Sequence, residues 1–154
     1  MYRSLLACAF TFYASAAFAH DFTVGDLVIA HPFSLETAPT ARAGAGYFEV
    51  TNAGDTADRL IAAEADFPRV MLHQSVMEGD VAKMEHVMGG VEIPAGETLT
   101  FAPGGYHVMF MGLTEGFAVG DEINATLVFE NAGSVDIVFK VEERTDDAVD
   151  HSNH

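Results

Sequence analysis

The chain has 154 residues, 49% of them hydrophobic, with 23 acidic against 7 basic side chains and a formal net charge of −16 when the histidines are neutral. Such a charge repels nucleic acid and anionic lipid surfaces and draws in cations, and the length suits one domain that buries a core of its own. Cys8 is the only cysteine, which excludes a disulfide framework.

The N-terminus opens Met1-Tyr2-Arg3-Ser4, runs apolar from Leu5 to Phe18 and reaches Ala17-Phe18-Ala19, the small-x-small pattern that signal peptidase cuts after. Residues 1–19 read as a signal peptide, the mature chain is expected to begin at His20, and the expected location is the periplasm. The apolar run falls short of the roughly 20 residues of a spanning helix, and no later segment comes closer, so no membrane insertion is expected. Leu5-Leu6-Ala7-Cys8 faintly resembles a lipoprotein processing site but leaves almost no apolar region ahead of the cysteine. With Cys8 removed the mature chain has no thiol, which rules out the thiolate ligand of a blue-copper electron carrier.

Residues 20–142 read as one all-β domain. Short apolar runs recur between turn signals at Asn52-Ala53-Gly54-Asp55, Glu78-Gly79-Asp80, Gly89-Gly90, Pro94-Ala95-Gly96-Glu97, Pro103-Gly104-Gly105, Gly120-Asp121 and Asn131-Ala132-Gly133. None carries a helical period, and the signals cut the chain into eight or nine expected strands. His31, followed by Pro32-Phe33, reads as a structural residue at a strand end. The last pair is the clearest hairpin: Ile123, Ala125, Leu127 and Phe129 alternate with more polar neighbours, as do Val135, Ile137, Phe139 and Val141 after the turn. Strands of this length with one apolar face pack as a two-sheet sandwich or Greek-key barrel. Residues 143–154 form an acidic tail that is too charged to bury and ends His151-Ser152-Asn153-His154. Its histidines read ordinarily as solvated polar residues, with capture of a second ion, Cu(II), as the alternative.

The chemistry concentrates between residues 71 and 111. Every methionine after Met1 lies there (Met71, Met77, Met84, Met88, Met109 and Met111), together with His73, His86 and His107. Thioether sulfur and imidazole nitrogen are soft to borderline donors, suited to Cu(I) and not to the oxygen-seeking Ca²⁺, Mg²⁺ or Mn²⁺. Along Tyr106-His107-Val108-Met109-Phe110-Met111, strand alternation puts Tyr106, Val108 and Phe110 on one face and His107, Met109 and Met111 on the other. Leu72 belongs to the core, so His73 faces the opposite way with Met71. A hairpin at Glu78-Gly79-Asp80 would carry Met84 toward His73. Four neutral donors, His73, Met84, His107 and Met109, are therefore expected to converge on Cu(I), an ion that tolerates a ligand set without negative charge. In an oxidising compartment thiolates are lost to disulfides, which gives a reason for building the site from methionine instead of cysteine. Singly, each residue has an ordinary reading, methionine as flexible core filler and histidine as a hydrogen-bonded surface residue; the metal reading rests on the four together. His86 shares a strand face with Met84 and is the nearest substitute for either histidine, while Met71, Met77, Met88 and Met111 read as rim or core packing.

These residues resemble the periplasmic copper chaperones of the PCu(A)C family, whose hallmark is a His, ten residues, a Met, about twenty-one residues and then His-x-Met. Here ten residues separate His73 from Met84 and 22 separate Met84 from His107, one more than usual, with the extra residue placed at the Met88-Gly89-Gly90 turn. Val24-Gly25-Asp26-Leu27-Val28-Ile29, His31-Pro32, Ala45-Gly46-Tyr47-Phe48, Asp58-Arg59-Leu60, Val91-Glu92-Ile93-Pro94-Ala95-Gly96 and Pro103-Gly104-Gly105-Tyr106-His107-Val108-Met109 extend the likeness over nearly the whole mature chain. Gln74 departs from it, since many members place a second methionine after the histidine. The resemblance implies a cupredoxin-like β-barrel and a monomeric, non-enzymatic carrier of Cu(I). Its implied partners are cytochrome c oxidase subunit II, at the CuA centre, and Sco-type assembly proteins.

Two readings compete with the carrier. A mature chain beginning at His20 offers an amino group and an imidazole that chelate Cu(II), as in a copper enzyme, with His86 or a tail histidine as the further ligand. A metal-free β-sandwich binding module is the other. No Ser-His-Asp set or carboxylate pair supports hydrolysis.

Overall fold

The computed structural model describes residues 21–145. The expected signal peptide, His20, His151 and His154 lie outside them. The described chain forms eleven strands: β1 (Phe22–Val24), β2 (Leu27–Leu35), β3 (Ala43–Asn52), β4 (Asp58–Ala65), β5 (Arg69–Glu78), β6 (Val81–His86), β7 (Val91–Ile93), β8 (Thr98–Phe101), β9 (Tyr106–Met111), β10 (Glu122–Phe129) and β11 (Gly133–Glu142). The count exceeds the eight or nine expected because β1, β7 and β8 are only three or four residues long, too short for alternation to show in sequence. No helix of the described residues is long and apolar enough to cross a membrane.

Hydrogen bonds join the strands in one continuous order, β6-β5-β9-β3-β2-β11-β10-β4-β7, with β1 added on β2 and β8 on β3. The β11–β2 pair is parallel, while hairpins such as β5–β6 and β10–β11 are antiparallel. β4 packs back against β5 and β7 against β3, so the sheet wraps round one core. Phe48, Phe101, Phe110, Phe129 and Phe139 are fully buried there, each contributing about 1.5–3 kcal/mol by leaving water. Phe48 and Phe101 stack with centroids 4.4 Å apart. Gly46 is what lets β3 sit against this layer: a Cβ at that position would lie 2.8 Å from Phe139 Cε1 and 3.1 Å from Phe110 Cε2.

The expected terminal hairpin is present, with Phe129 opposite Gly133 and Ile123 opposite Phe139, and with Ile123, Ala125, Leu127, Phe129, Ile137, Phe139 and Val141 all buried. Its turn is tied down by Asp58, whose buried carboxylate accepts hydrogen bonds from the backbone N–H groups of Asn131 and Ala132, both at 2.9 Å, as well as from Arg59 at 2.7 Å.

One expectation is corrected. His31 is not at a strand end but inside β2, where the β2–β3 register shifts between Ala30 and Phe33 and His31 itself takes a φ of 47°. Pro32 supplies no N–H to the ladder, and a bulge is where a strand accommodates that.

Candidate metal centre

β5, β6 and β9 lie side by side, and their outward face carries the soft donors. In β5 Leu72 is buried in the core, which turns Met71, His73 and Ser75 to the other face. In β9 Val108 and Phe110 are fully buried on the core side, which turns His107, Met109 and Met111 to the other face, as expected.

Register decides which of these side chains meet. His73 stands opposite His107 and Met71 opposite Met109 across the β5–β9 ladder. On the other side of β5, His86 stands opposite His73. Three imidazoles therefore form a row across three strands, with ring centroids 5.8 Å apart for His86 and His73 and 5.7 Å for His73 and His107. Tyr47 of β3 continues the row, its ring 6.4 Å from that of His107.

Of the four expected ligands, His73, His107 and Met109 occupy adjoining positions of one sheet face. Met84 shares the face but pairs with Ser75, two residues beyond His73. It is 62% exposed on β6, an edge strand whose residues are all exposed. Its side chain nevertheless borders the same surface pocket as Met109, Ala45 and Tyr47. The hairpin at Gly79 thus brings His86, and not Met84, directly against His73. Tyr47 was not anticipated, although its place two residues after Ala45 on β3 gives the necessary alternation.

The imidazoles are electrically prepared to bind a cation. His107 is 3% exposed. Its Nδ1 lies 3.2 Å from the Gly105 carbonyl oxygen, which fixes the neutral tautomer with the proton on Nδ1 and leaves the Nε2 lone pair free. That Nε2 and both ring nitrogens of His73 are buried without a hydrogen-bond partner. Each such orphaned group costs about 1–3 kcal/mol, a cost that a metal removes at the one nitrogen of each ring whose lone pair it takes. Burial holds His73 below the usual imidazole range, reinforced by His107 and then His86. Burial also lowers His107, partly offset by the Gly105 carbonyl. Both rings are neutral near pH 7, the state a metal ligand requires.

Among the described residues no group of three or more His, Cys, Asp or Glu side chains is placed to hold a metal ion. Thioether sulfur stands beside imidazole on this face, a donor pairing that suits a soft ion.

Comparisons with known proteins bear on the family and the fold that carries this face. Residues 27–141 match the family model described as "Putative lipoprotein LpqE-like". The chain is 33% identical over 100 residues to "Putative lipoprotein Lxx21020" of Leifsonia xyli subsp. xyli (strain CTCB07), a match taking in 64% of this chain and 60% of that one, so it spans less than two thirds of the relative's length. Among solved structures, the copper-bound PCuAC domain from PmoF2 superposes with a TM-score of 0.67 at 32% identity, covering 81% of this chain and 99% of that domain. The apo-DR1885 solution structure from Deinococcus radiodurans gives 0.60 at 26% identity over 94% and 97% of the two chains. The CuI-DR1885 structure from the same organism gives 0.59 at 29% identity over 83% of each. The all-β architecture is the cupredoxin-like barrel of these domains.

Proposed function

The chain belongs to the LpqE-like family and is built as a PCu(A)C domain, and on that premise we propose that it is an exported carrier of Cu(I), holding the ion between His73, Met84, His107 and Met109. The observation that carries this reading is the pair of adjoining neutral imidazoles, three of whose four ring nitrogens are buried without a partner, set beside thioethers where the described residues form no metal-holding cluster of His, Cys, Asp or Glu. That is the donor set of a monovalent d¹⁰ ion. Two of the similar structures hold copper, which supports the same reading for this chain.

The four ligands have distinct parts. His73 and His107, half-buried and buried on the two central strands, supply rigid nitrogens. Met109 lies two residues along β9 from His107, on the same face. Met84, exposed on the edge strand, is the ligand that an incoming acceptor displaces first, because exchange requires a donor that can leave without unfolding the barrel. Release to a thiolate-rich acceptor is favourable because thiolates bind Cu(I) more strongly than thioethers. The acceptors we propose are Sco-type assembly proteins and the CuA centre of cytochrome c oxidase subunit II. The names of the family and of the relative both speak of lipoproteins, which fits export, and we place the protein in the periplasm as a monomer without catalytic activity.

The test is an anaerobic titration of the mature chain with Cu(I) against a chromophoric chelator. The first equivalent should bind tightly, and replacement of His107 or Met109 should weaken it. Equal affinity in those variants would refute the assignment.

A further inference from the structure

The donors of this face do not end with the four assigned above. The β5–β6 ladder pairs His73 with His86, and the hydrogen bond from Val87 N to Leu72 O, at 2.9 Å, continues that register one residue past the end of β6. The next residue, Met88, begins the turn that follows β6 and lines the same cleft as Met71. The outward face therefore carries two rows, His86, His73 and His107 in one and Met71 and Met109 in the next, with Met88 in the turn just past β6. The inner site uses the β9 side of this face. The β6 side has its own imidazole and its own two thioethers, and Met71, His86 and Met88 border one cleft between β4, β5 and residues 86–88.

We propose that Met71, His86 and Met88 form a second Cu(I) station beside the inner one. Packing does not account for Met88, which is 87% exposed and makes it the most exposed large apolar side chain of the described residues. A thioether held in water has little to contribute to a core, but it is available to a soft cation. His86 is also exposed. The stations adjoin, since the His86 and His73 rings are 5.8 Å apart, so an ion can pass between them by exchanging one ligand at a time. Three donors at an exposed rim bind more weakly than four at a half-buried site, and the outer station is accordingly where copper enters or leaves. The role of the pair as a path rests on the inner site being a Cu(I) centre; the outer donor set itself does not.

Methionine methyl groups give a readout for each station. The full mature chain, labelled with ¹³C at the methionine methyls, is titrated anaerobically with Cu(I) and followed by NMR. The first equivalent should shift Met84 and Met109, and the second should shift Met71 and Met88 while leaving Met77, an exposed thioether of the same hairpin with no imidazole in its register pair, unmoved. In M71L/M88L the second equivalent should be lost while the affinity of the first is unchanged, and H86N should weaken the second alone. Leucine conserves volume, so these variants retain the fold. A wild-type chain that saturates at one equivalent, a second equivalent that shifts Met77 as much as Met88, or one that survives in M71L/M88L would each overturn the outer station. A first equivalent that leaves Met84 and Met109 unmoved but shifts Met71 and Met88 would instead refute the inner ligand set and uphold the outer one.

Discussion

His73 and His107 face each other across the β5–β9 ladder with their rings 5.7 Å apart and nearly perpendicular, at 77°. Two imidazoles this close cannot both be protonated cheaply, and burial already disfavours the charged form of each. The sign of the pH dependence follows. Both folded values lie below the unfolded value of about 6.5, so as pH falls from there toward the folded values the unfolded chain takes up protons that the folded chain does not, and stability declines. Above about 6.5 this contribution is fully present. The urea midpoint of the copper-free protein should therefore fall between about pH 7 and pH 5, a window above the carboxylate range, and the fall should be shallower in H73Q. An identical slope in the variant would show that these rings do not titrate as described.

Met109→Leu keeps the volume of a half-buried side chain and removes only its sulfur. Stability should change by less than about 1.5 kcal/mol, while Cu(I) affinity should fall by at least about tenfold, the size of effect that even an outer-shell partner has on a metal site. Chelator competition together with thermal unfolding separates the two. Met84→Leu, at an exposed position, should be still more nearly neutral for folding and should slow transfer of Cu(I) to a dithiol acceptor along with weakening binding.

Asp58 lies at the opposite extreme, a buried charge with three backbone N–H partners and no metal role. Asp58→Ala leaves those donors buried and unpaired near the β10–β11 turn, at a cost of about 1–3 kcal/mol for each group that water does not reach. The melting temperature should drop by several degrees while the Cu(I) affinity of the remaining folded protein stays the same. A weakened affinity would mean that the turn communicates with the metal face.

Gly46→Ala would push a methyl group against Phe139 and Phe110, both fully buried. Overpacking of this kind costs about 1–3 kcal/mol. Because Gly46 pairs with Val108, between His107 and Met109, this substitution should also disturb copper binding, unlike that at Asp58. Denaturation curves and chelator competition on the same sample check both halves.

Much of this arrangement was legible in the residues alone. Alternation in β9 and around Leu72 correctly put His107, Met109, Met71 and His73 away from the core. Positive φ at Gly79, Gly90, Gly96, Gly104, Gly120 and Gly133 coincides with turns read from Gly-containing signals. What could not be read was register. Alternation gives the face of a side chain but not its neighbour on the next strand, so the hairpin at Gly79 was expected to bring Met84 to His73, where it brings His86. The bulge at His31 escaped for a similar reason: Pro32 within an apolar run marks an irregularity in a strand as readily as its end. β6, exposed along its whole length, has no apolar face to announce it.

The measurement that bears most directly on the central claim is X-ray absorption spectroscopy of the mature chain loaded anaerobically with one equivalent of Cu(I). The predicted spectrum is that of a monovalent ion bound by two imidazole nitrogens and two thioether sulfurs, with one sulfur lost in Met109→Leu. A copper shell of nitrogen and oxygen alone, unchanged in that variant, would contradict the account.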